Sequence, residues 1–144
     1  MPLYRVLVLT VAASTAFPFL IRERENAAAR SAATAGRGKY LVEDVAVCST
    51  CHTPRDESGA PDHGRWLLGG PVPFAPAKPV EGWADVAPRI AGLPPGTDEQ
   101  FLRLMMTGIS RTGNPPRQPM PQFRLTRSDA EAVLAYLKSI KPAE

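Results

Sequence analysis

The stretch Cys48-Ser49-Thr50-Cys51-His52 decides how the rest of this 144-residue chain is interpreted. In a C-x-x-C-H pattern the two thiols can form thioethers to the two vinyl groups of a porphyrin, and the adjacent imidazole reaches the iron. The stretch therefore predicts one covalently attached haem c, with Cys48 and Cys51 as the attachment points and His52 as the proximal iron ligand.

The same residues allow three other interpretations. A redox-active dithiol is expected near a βαβ pattern, and the sequence shows no strand pattern that would build one. A zinc site needs about four ligands, and beyond Cys48, Cys51 and His52 the only further histidine is His63. A structural disulfide leaves His52 without a role. A haem-free dithiol or zinc module stays open as the least favoured alternative.

An iron held by His52 needs a sixth ligand if the haem transfers electrons, and a methionine thioether raises the reduction potential. The chain has four methionines. Met1 lies outside the predicted domain, and Met105 and Met106 lie in or beside an amphipathic helix, where core packing explains them. Met120 is therefore the predicted distal ligand.

The sequence around Met120 supports this choice. Pro119 and Pro121 flank the methionine and predict an extended loop, in which no helical stripe accounts for an apolar side chain. His63 is the alternative distal ligand, although its polar neighbours are typical of a solvated turn.

Three segments with helical spacing of apolar residues predict an all-α domain. The first helix is expected over residues 36–47 and leads directly to Cys48. A capping box at Thr97-Asp98-Glu99-Gln100 opens a second helix, which is expected to stop at Gly108. The third is expected from Thr126 or Ser128 to Ile140.

The segment from Thr53 to Pro95 is rich in proline and shows neither helical nor alternating periodicity. A loop of this length normally argues against a compact domain. Here we expect it to wrap a rigid ligand that replaces part of an ordinary side-chain core.

An apolar stretch from Val6 to Ile21 follows Arg5 and ends in four charged residues, Arg22-Glu23-Arg24-Glu25. This pattern resembles the charged start and apolar body of an export signal, and the alanine-rich residues 26–35 look like a linker. Residues 1–30 are therefore expected to be an export signal or N-terminal membrane anchor plus linker, and residues 31–144 the domain. The expected location is the periplasm, with residues 3–21 as the part that could anchor the chain to the inner membrane.

The net charge of +3 divides into +2 for residues 1–30, with four Arg and two Glu, and +1 for residues 31–144, with thirteen basic and twelve acidic residues. Bulk charge therefore gives no case for nucleic acid. Locally, the stretch between Gln100 and Ser128 has five arginines and no acidic residue. They are expected either to steer an acidic redox partner or to form an ordinary solvated surface: Arg103, Arg111, Arg117, Arg124 and Arg127.

From Gly36 to Ile140 the residues resemble the class I c-type cytochromes. Gly36-Arg37-Gly38-Lys39-Tyr40 looks like the first helix of that family, and residues 133–138 look like its partner stretch in the last helix. The resemblance implies a fold of three to four helices with long proline-rich loops around one covalent haem. It implies that Gly36 and Tyr40 cross against Val133 and Tyr136, because glycine permits close backbone approach.

The resemblance also implies that a proline carbonyl holds the second nitrogen of the proximal imidazole, for which Pro71 is the candidate. In finer detail the chain is similar to the cytochrome subunits of periplasmic or membrane-bound dehydrogenases. This similarity is carried by Cys-His-Thr-Pro-Arg at 51–55, Gly69-Gly70, Met106-Thr107-Gly108-Ile109 and Pro119-Met120-Pro121. Those subunits often carry three haems, whereas the single C-x-x-C-H here implies one.

The function implied is that of a non-enzymatic electron carrier or the electron-transfer subunit of a larger oxidoreductase. Its expected partners are redox proteins, such as a dehydrogenase or a terminal oxidase complex. A haem enzyme or gas sensor with an open distal site is the second hypothesis.

Overall fold

The computed structural model describes residues 3–92 and 94–141, with side chains from residue 20 onward. Helices dominate, and the predicted all-α class is confirmed. The elements in chain order are α1 (Leu3–Tyr40), a π-helical turn (Leu41–Val45), α2 (Ser49–His52), a 3-10 turn (His63–Arg65), β1 (Gly70–Pro71), β2 (Val86–Ala87), α3 (Asp98–Thr107) and α4 (Arg127–Ser139).

Contacts within the chain define two units, Met1–Ala33 and Thr34–Glu144. In the first unit, the side chains of residues 1–19 lie outside the described part, so the export signal, the anchor and the boundary after residue 30 stay predictions. Among the helices as far as they are described, none is long and apolar enough to cross a membrane. The linker expected at residues 26–35 is wrong, because this alanine-rich stretch is helical, in keeping with the high helix propensity of alanine.

The ends of α3 and α4 are set by local side-chain chemistry. The Thr97 hydroxyl accepts the Gln100 N–H at 3.3 Å, and the Gln100 side chain accepts the Thr97 N–H at 3.1 Å. This capping box starts α3 as predicted, and Gly108 ends it in the left-handed conformation. Helix α4 begins where Thr126 accepts the Asp129 N–H, so both helices follow directly from the sequence.

The core of the second unit lies where α3 and α4 pack on each other and on the π-helical turn. Met105 is buried here, which agrees with its predicted role in packing. The buried side chains are Leu41, Val42, Leu67, Ile90, Ala91, Phe101, Leu102, Met105, Ala130, Val133, Leu134 and Leu137.

The C-terminal part of α1 meets α4 at Gly38 rather than at Gly36. A Cβ atom on buried Gly38 would lie 1.9 Å from the Ala132 carbonyl oxygen and 2.8 Å from Tyr136 Cβ, whereas one on Gly36 would meet nothing within 4 Å. Tyr40 is 50% exposed. The predicted crossing of Gly36 and Tyr40 is therefore wrong in register. Two residues correspond to about 200° around a helix, so only one of the two glycines can face α4.

Polar contacts lie beside this crossing. The Tyr136 hydroxyl donates to Glu43 in the π-helical turn, and burial together with this carboxylate raises the pKa of Tyr136. Arg37 forms an ion pair with Asp129 at 2.9 Å and lowers the pKa of that carboxyl group. The Arg37 side chain is half exposed, so the ion pair adds little to stability. The backbone contact at Gly38 is the tighter constraint.

The long segment from Thr53 to Pro95 is mostly irregular, as predicted, but it contains a small hairpin that the sequence did not reveal. Gly70 pairs with Ala87 and Pro71 with Val86 in an antiparallel register. Strands of two residues are too short for an alternating pattern to be visible in the sequence. The hairpin closes the loop and returns the chain toward α2.

We expect Gly38→Ala to lower the free energy of unfolding by about 3 kcal/mol, because the added methyl group forces apart two backbones that are already in contact. Urea unfolding monitored by circular dichroism measures this change.

Gly36→Ala is the matched control. It places the same methyl group on an exposed turn of the same helix, and we expect it to raise the free energy of unfolding by about 0.5–1 kcal/mol through helix propensity. Equal effects of the two substitutions would contradict the assigned register.

Candidate functional site

The motif residues lie on one helical turn that follows directly from the core. The Cys48 N–H donates to the Val42 carbonyl at 2.9 Å, and the His52 N–H donates to the Cys48 carbonyl at 2.9 Å. Positions i, i+3 and i+4 of a helix share a face, so Cys48, Cys51 and His52 are brought together on one side of α2. Val47, which precedes the motif, has a φ of 44°, a left-handed conformation that costs a β-branched residue about 1–2 kcal/mol.

Both cysteines are free and half-buried. Burial raises the pKa of the Cys48 thiol to about 11. Burial also raises the pKa of Cys51, against the opposing charge of Arg55. A redox-active dithiol requires the opposite shift. Within the described ranges, no group of three or more His, Cys, Asp or Glu side chains could hold a metal ion. Neither the dithiol nor the zinc interpretation gains support.

The imidazole of His52 is oriented by a backbone carbonyl. Its Nδ1 lies 2.7 Å from the Pro88 carbonyl oxygen. A carbonyl can only accept, so Nδ1 carries the proton and Nε2 is the nitrogen available to a metal. Burial lowers the pKa of His52, while the bond to Pro88 opposes this shift. The neutral imidazole is the form that binds metals, so burial and tautomer both fit an iron ligand.

The prediction of Pro71 as the proline that holds His52 is wrong. Pro71 lies in β1 and pairs with Val86, so the predicted proline and Pro88 are close neighbours on opposite sides of the same hairpin. The acceptor is a backbone oxygen, which every residue has. The proline side chain therefore gives no signal that separates the two positions.

A fully buried threonine holds the residues after the motif in place. The Thr53 hydroxyl accepts the Leu67 N–H at 3.1 Å, and the His52 carbonyl accepts the Gly69 N–H at 2.7 Å. The Leu67 carbonyl in turn accepts the Ile90 N–H at 3.0 Å. These bonds connect α2 through residues 67–69 to the segment that carries Pro88. Sequence reasoning missed Thr53, whose only signal was its place directly after the motif.

Met120 is half-buried and, like Cys48, packs against the core. Its backbone is not part of an extended loop as predicted, because the Met120 N–H donates to the Arg117 carbonyl at 3.1 Å. The Gln118–Pro119 peptide bond within this turn is cis, a geometry that proline accommodates far more readily than other residues. A cavity of about 640 Å³ borders Met120, Trp83 and the prolines on either side of the turn.

The turn at 117–120 is attached to the same segment that carries Pro88. The Ala84 N–H donates to the Gln118 carbonyl at 2.7 Å, and the Arg117 guanidinium donates to the carbonyls of Gly82 and Trp83. Residues 82–88, called the bridging segment below, thus contact the Met120 turn at one end and the His52 ring at the other. Sequence reasoning placed Arg117 only among surface charges and missed this contact.

His63, the alternative distal ligand, lies in the 3-10 turn. Its exposed ring stacks on Trp66, with centroids 5.0 Å apart and planes 7° from parallel. Asp62 caps the turn by accepting the Gly64 N–H at 2.8 Å. These contacts account for the polar neighbours seen in the sequence.

The family model of cytochrome c matches residues 35–141. The chain belongs to the cytochrome c family. Membership confirms the predicted fold, and it implies haem c as the group that the motif holds. The residues described above fit that group: two unpaired thiols and an imidazole with its Nε2 available share one face of α2.

Three curated relatives refine the comparison. The chain is 33% identical over 117 residues to a "Diheme cytochrome c-type" of Cereibacter sphaeroides, covering 75% of this chain and 36% of that protein. It is 30% identical over 112 residues to a nicotinate dehydrogenase subunit of Pseudomonas putida, covering 73% and 9%. It is 29% identical over 109 residues to the "Fructose dehydrogenase cytochrome subunit" of Gluconobacter japonicus, covering 72% and 21%.

The matches with these relatives cover most of this chain but about a third or less of each relative. The predicted similarity to dehydrogenase cytochrome subunits is confirmed. Together with the family, these relatives support electron transfer as the function of this cytochrome domain.

We expect Thr53→Val to lower the free energy of unfolding by about 2 kcal/mol. The substitution keeps the shape of the side chain but leaves the buried Leu67 N–H without an acceptor. Urea unfolding gives the loss, and hydrogen exchange at the Leu67 amide reports whether its bond is the one removed.

Thr53→Ser is the matched variant, because it keeps the hydroxyl and removes one methyl group at a cost of about 1 kcal/mol. The interpretation fails if the Leu67 amide is equally protected from exchange in the valine and serine variants.

Proposed function

We propose that this chain transfers electrons through one covalent haem c, attached to Cys48 and Cys51, with His52 as proximal and Met120 as distal iron ligand. The observation that carries the proposal is the hydrogen bond from His52 Nδ1 to the Pro88 carbonyl, which leaves Nε2 for iron. Such a bond also fixes the ring orientation and raises the basicity of a metal-ligating histidine.

The haem supplies reversible one-electron chemistry at its iron. The chain's own residues bind it and set its surroundings. The two thiols hold it on α2, the imidazole donates from one side, and a thioether on the other side favours the reduced iron and raises the potential. The half-buried positions of Cys48 and Met120 against the core support a haem largely shielded from water.

One haem per chain follows from the sequence, which contains two cysteines and a single C-x-x-C-H motif. The relative from C. sphaeroides is named as a dihaem protein, and the match covers 36% of its length. A single attachment site in this chain is compatible with that coverage.

The proposed partner is a dehydrogenase that delivers electrons to this domain. Two of the relatives are named as dehydrogenase subunits. A terminal oxidase complex is a suitable acceptor. The proposed location is the periplasm, in agreement with the signal-like residues 1–30, and residues 3–21 are the proposed anchor if the segment is retained.

The five arginines between Gln100 and Ser128 support docking of an acidic partner, since all five are exposed. Arg127 is compensated by Glu131 at 2.8 Å and Glu99 at 3.5 Å. Arg103 and Arg124 donate instead to neutral acceptors, which leave the positive charge uncompensated. Arg111 carries the same charge in the loop between α3 and α4.

The protein, expressed with the machinery for covalent haem attachment, is expected to gain the mass of a single haem that survives denaturation. Its reduced spectrum is expected to be that of a six-coordinate haem that carbon monoxide does not change, because both axial positions are filled. Absorption spectroscopy and mass spectrometry of the purified chain make the measurement.

Cys48→Ala with Cys51→Ala is the control and is expected to abolish haem that resists denaturation. A spectrum that shifts on addition of carbon monoxide would favour an open-site haem enzyme or sensor. Absence of a Soret band would instead favour the haem-free module.

Electron transfer with an acidic redox partner is expected to slow about tenfold as the ionic strength rises from 0.01 to 0.15 M. Over that range the Debye length falls from about 30 Å to about 8 Å. Stopped-flow association rates test this, with Arg111→Gln expected to reduce the slope. A rate that is independent of salt would contradict docking through the arginines.

A further inference from the structure

We propose that Arg117 is a positioning residue for the distal ligand, holding the Met120 turn onto the bridging segment. The inference rests on the proposed function, because it takes Met120 as the iron ligand. It goes beyond that proposal by naming the side chain that keeps the ligand loop closed.

The geometry gives Arg117 two roles in one residue. Its backbone carbonyl accepts the Met120 N–H at 3.1 Å and closes the turn. Its guanidinium reaches across to the bridging segment, where Nε lies 3.0 Å from the Gly82 carbonyl and a terminal nitrogen donates to the Trp83 carbonyl. A planar fork suits two neighbouring acceptors, whereas a lysine ammonium lacks that fixed geometry.

A second and weaker contact joins the turn to the same segment. The Ala84 N–H donates to the Gln118 carbonyl at 2.7 Å, which is a single neutral hydrogen bond. Hydrogen bonds from a charged donor are about twice as strong as neutral ones. The guanidinium therefore contributes the larger share of the attachment between the Met120 turn and residues 82–84.

The bridging segment is itself fixed, so it can serve as the support. Trp83 packs edge-on against Phe74 with centroids 6.0 Å apart, and the Val72 N–H donates to the Asp85 carbonyl at 2.8 Å. At the far end Pro88 holds His52. Loss of the Arg117 side chain removes contacts to Gly82 and Trp83 but none to Pro88, so we expect it to free the distal side while the proximal bond persists.

The experiment uses the full chain with its haem attached and compares Arg117→Gln, Arg117→Lys and Arg111→Gln, each alone and combined with Met120→Ala. Two quantities are measured: the charge-transfer band of the methionine–iron bond in the oxidised protein, and the affinity for imidazole as a competing iron ligand. Arg111→Gln removes the same charge from the same loop, and no hydrogen bond of its side chain is among those described.

Arg117→Gln is expected to weaken the methionine band and to raise the affinity for imidazole about tenfold, equivalent to about 1.4 kcal/mol. Arg117→Lys is expected to fall between this variant and the parent protein, and Arg111→Gln is expected to match the parent. In the Met120→Ala background, Arg117→Gln is expected to add nothing, because the ligand that it positions is gone.

The inference is overturned if Arg117→Gln leaves the band and the imidazole affinity unchanged, if Arg111→Gln acts equally, or if the effect of Arg117→Gln persists in the Met120→Ala background. Should Arg117→Gln not fold, the lysine variant alone decides by the same criteria. A parent protein that has haem but no methionine band, and that is unaltered by Met120→Ala, would refute the distal ligand itself and this inference with it.

Discussion

The hydrogen bond between His52 Nδ1 and the Pro88 carbonyl imposes a demand on most of the loop structure. A ring that is to present Nε2 in one direction needs an acceptor held at a fixed place, and here that acceptor is far from His52 along the chain. The hairpin of Gly70–Pro71 and Val86–Ala87 folds the intervening residues back. Thr53 and Leu67 then bind the start of that loop to its end, since Leu67 donates to Thr53 and accepts from Ile90.

Helices and loops divide the work of this domain. The contact of Gly38 with Ala132 brings the end of α1 against α4, and the apolar faces of α3 and α4 supply most of the core. Close approach of two backbones leaves no space for side-chain adjustment, so this part is rigid. The proline-rich loops carry the residues that face the cofactor. Arg117, Ala84 and Pro88 allow one bridging segment to support both proposed axial ligands, so its position affects both sides of the haem.

This arrangement suits a domain that serves inside a larger assembly. The relatives named as dehydrogenase subunits are much longer than the matched region, which identifies the cytochrome domain as a unit that recurs in proteins of different length. Electron transfer needs a cofactor held with little reorganisation and a surface that a partner can approach. The hydrogen bonds around His52 and the Met120 turn address the first need. The exposed arginines between α3 and α4 address the second, because most of them donate to neutral acceptors and keep their charge.

The sequence by itself determined the helical class, the capped start and glycine stop of α3, and the motif at Cys48, Cys51 and His52. These features depend on the side chains of neighbouring residues, whose chemistry is visible in their order. The tertiary structure alone decided that Gly38 and not Gly36 faces α4, that Pro88 and not Pro71 holds His52, and that Arg117 is bound to Gly82 and Trp83. In each case one partner is a backbone oxygen or a helix surface distant in the chain. Because every residue has the same backbone groups, only folding determines which of them meet.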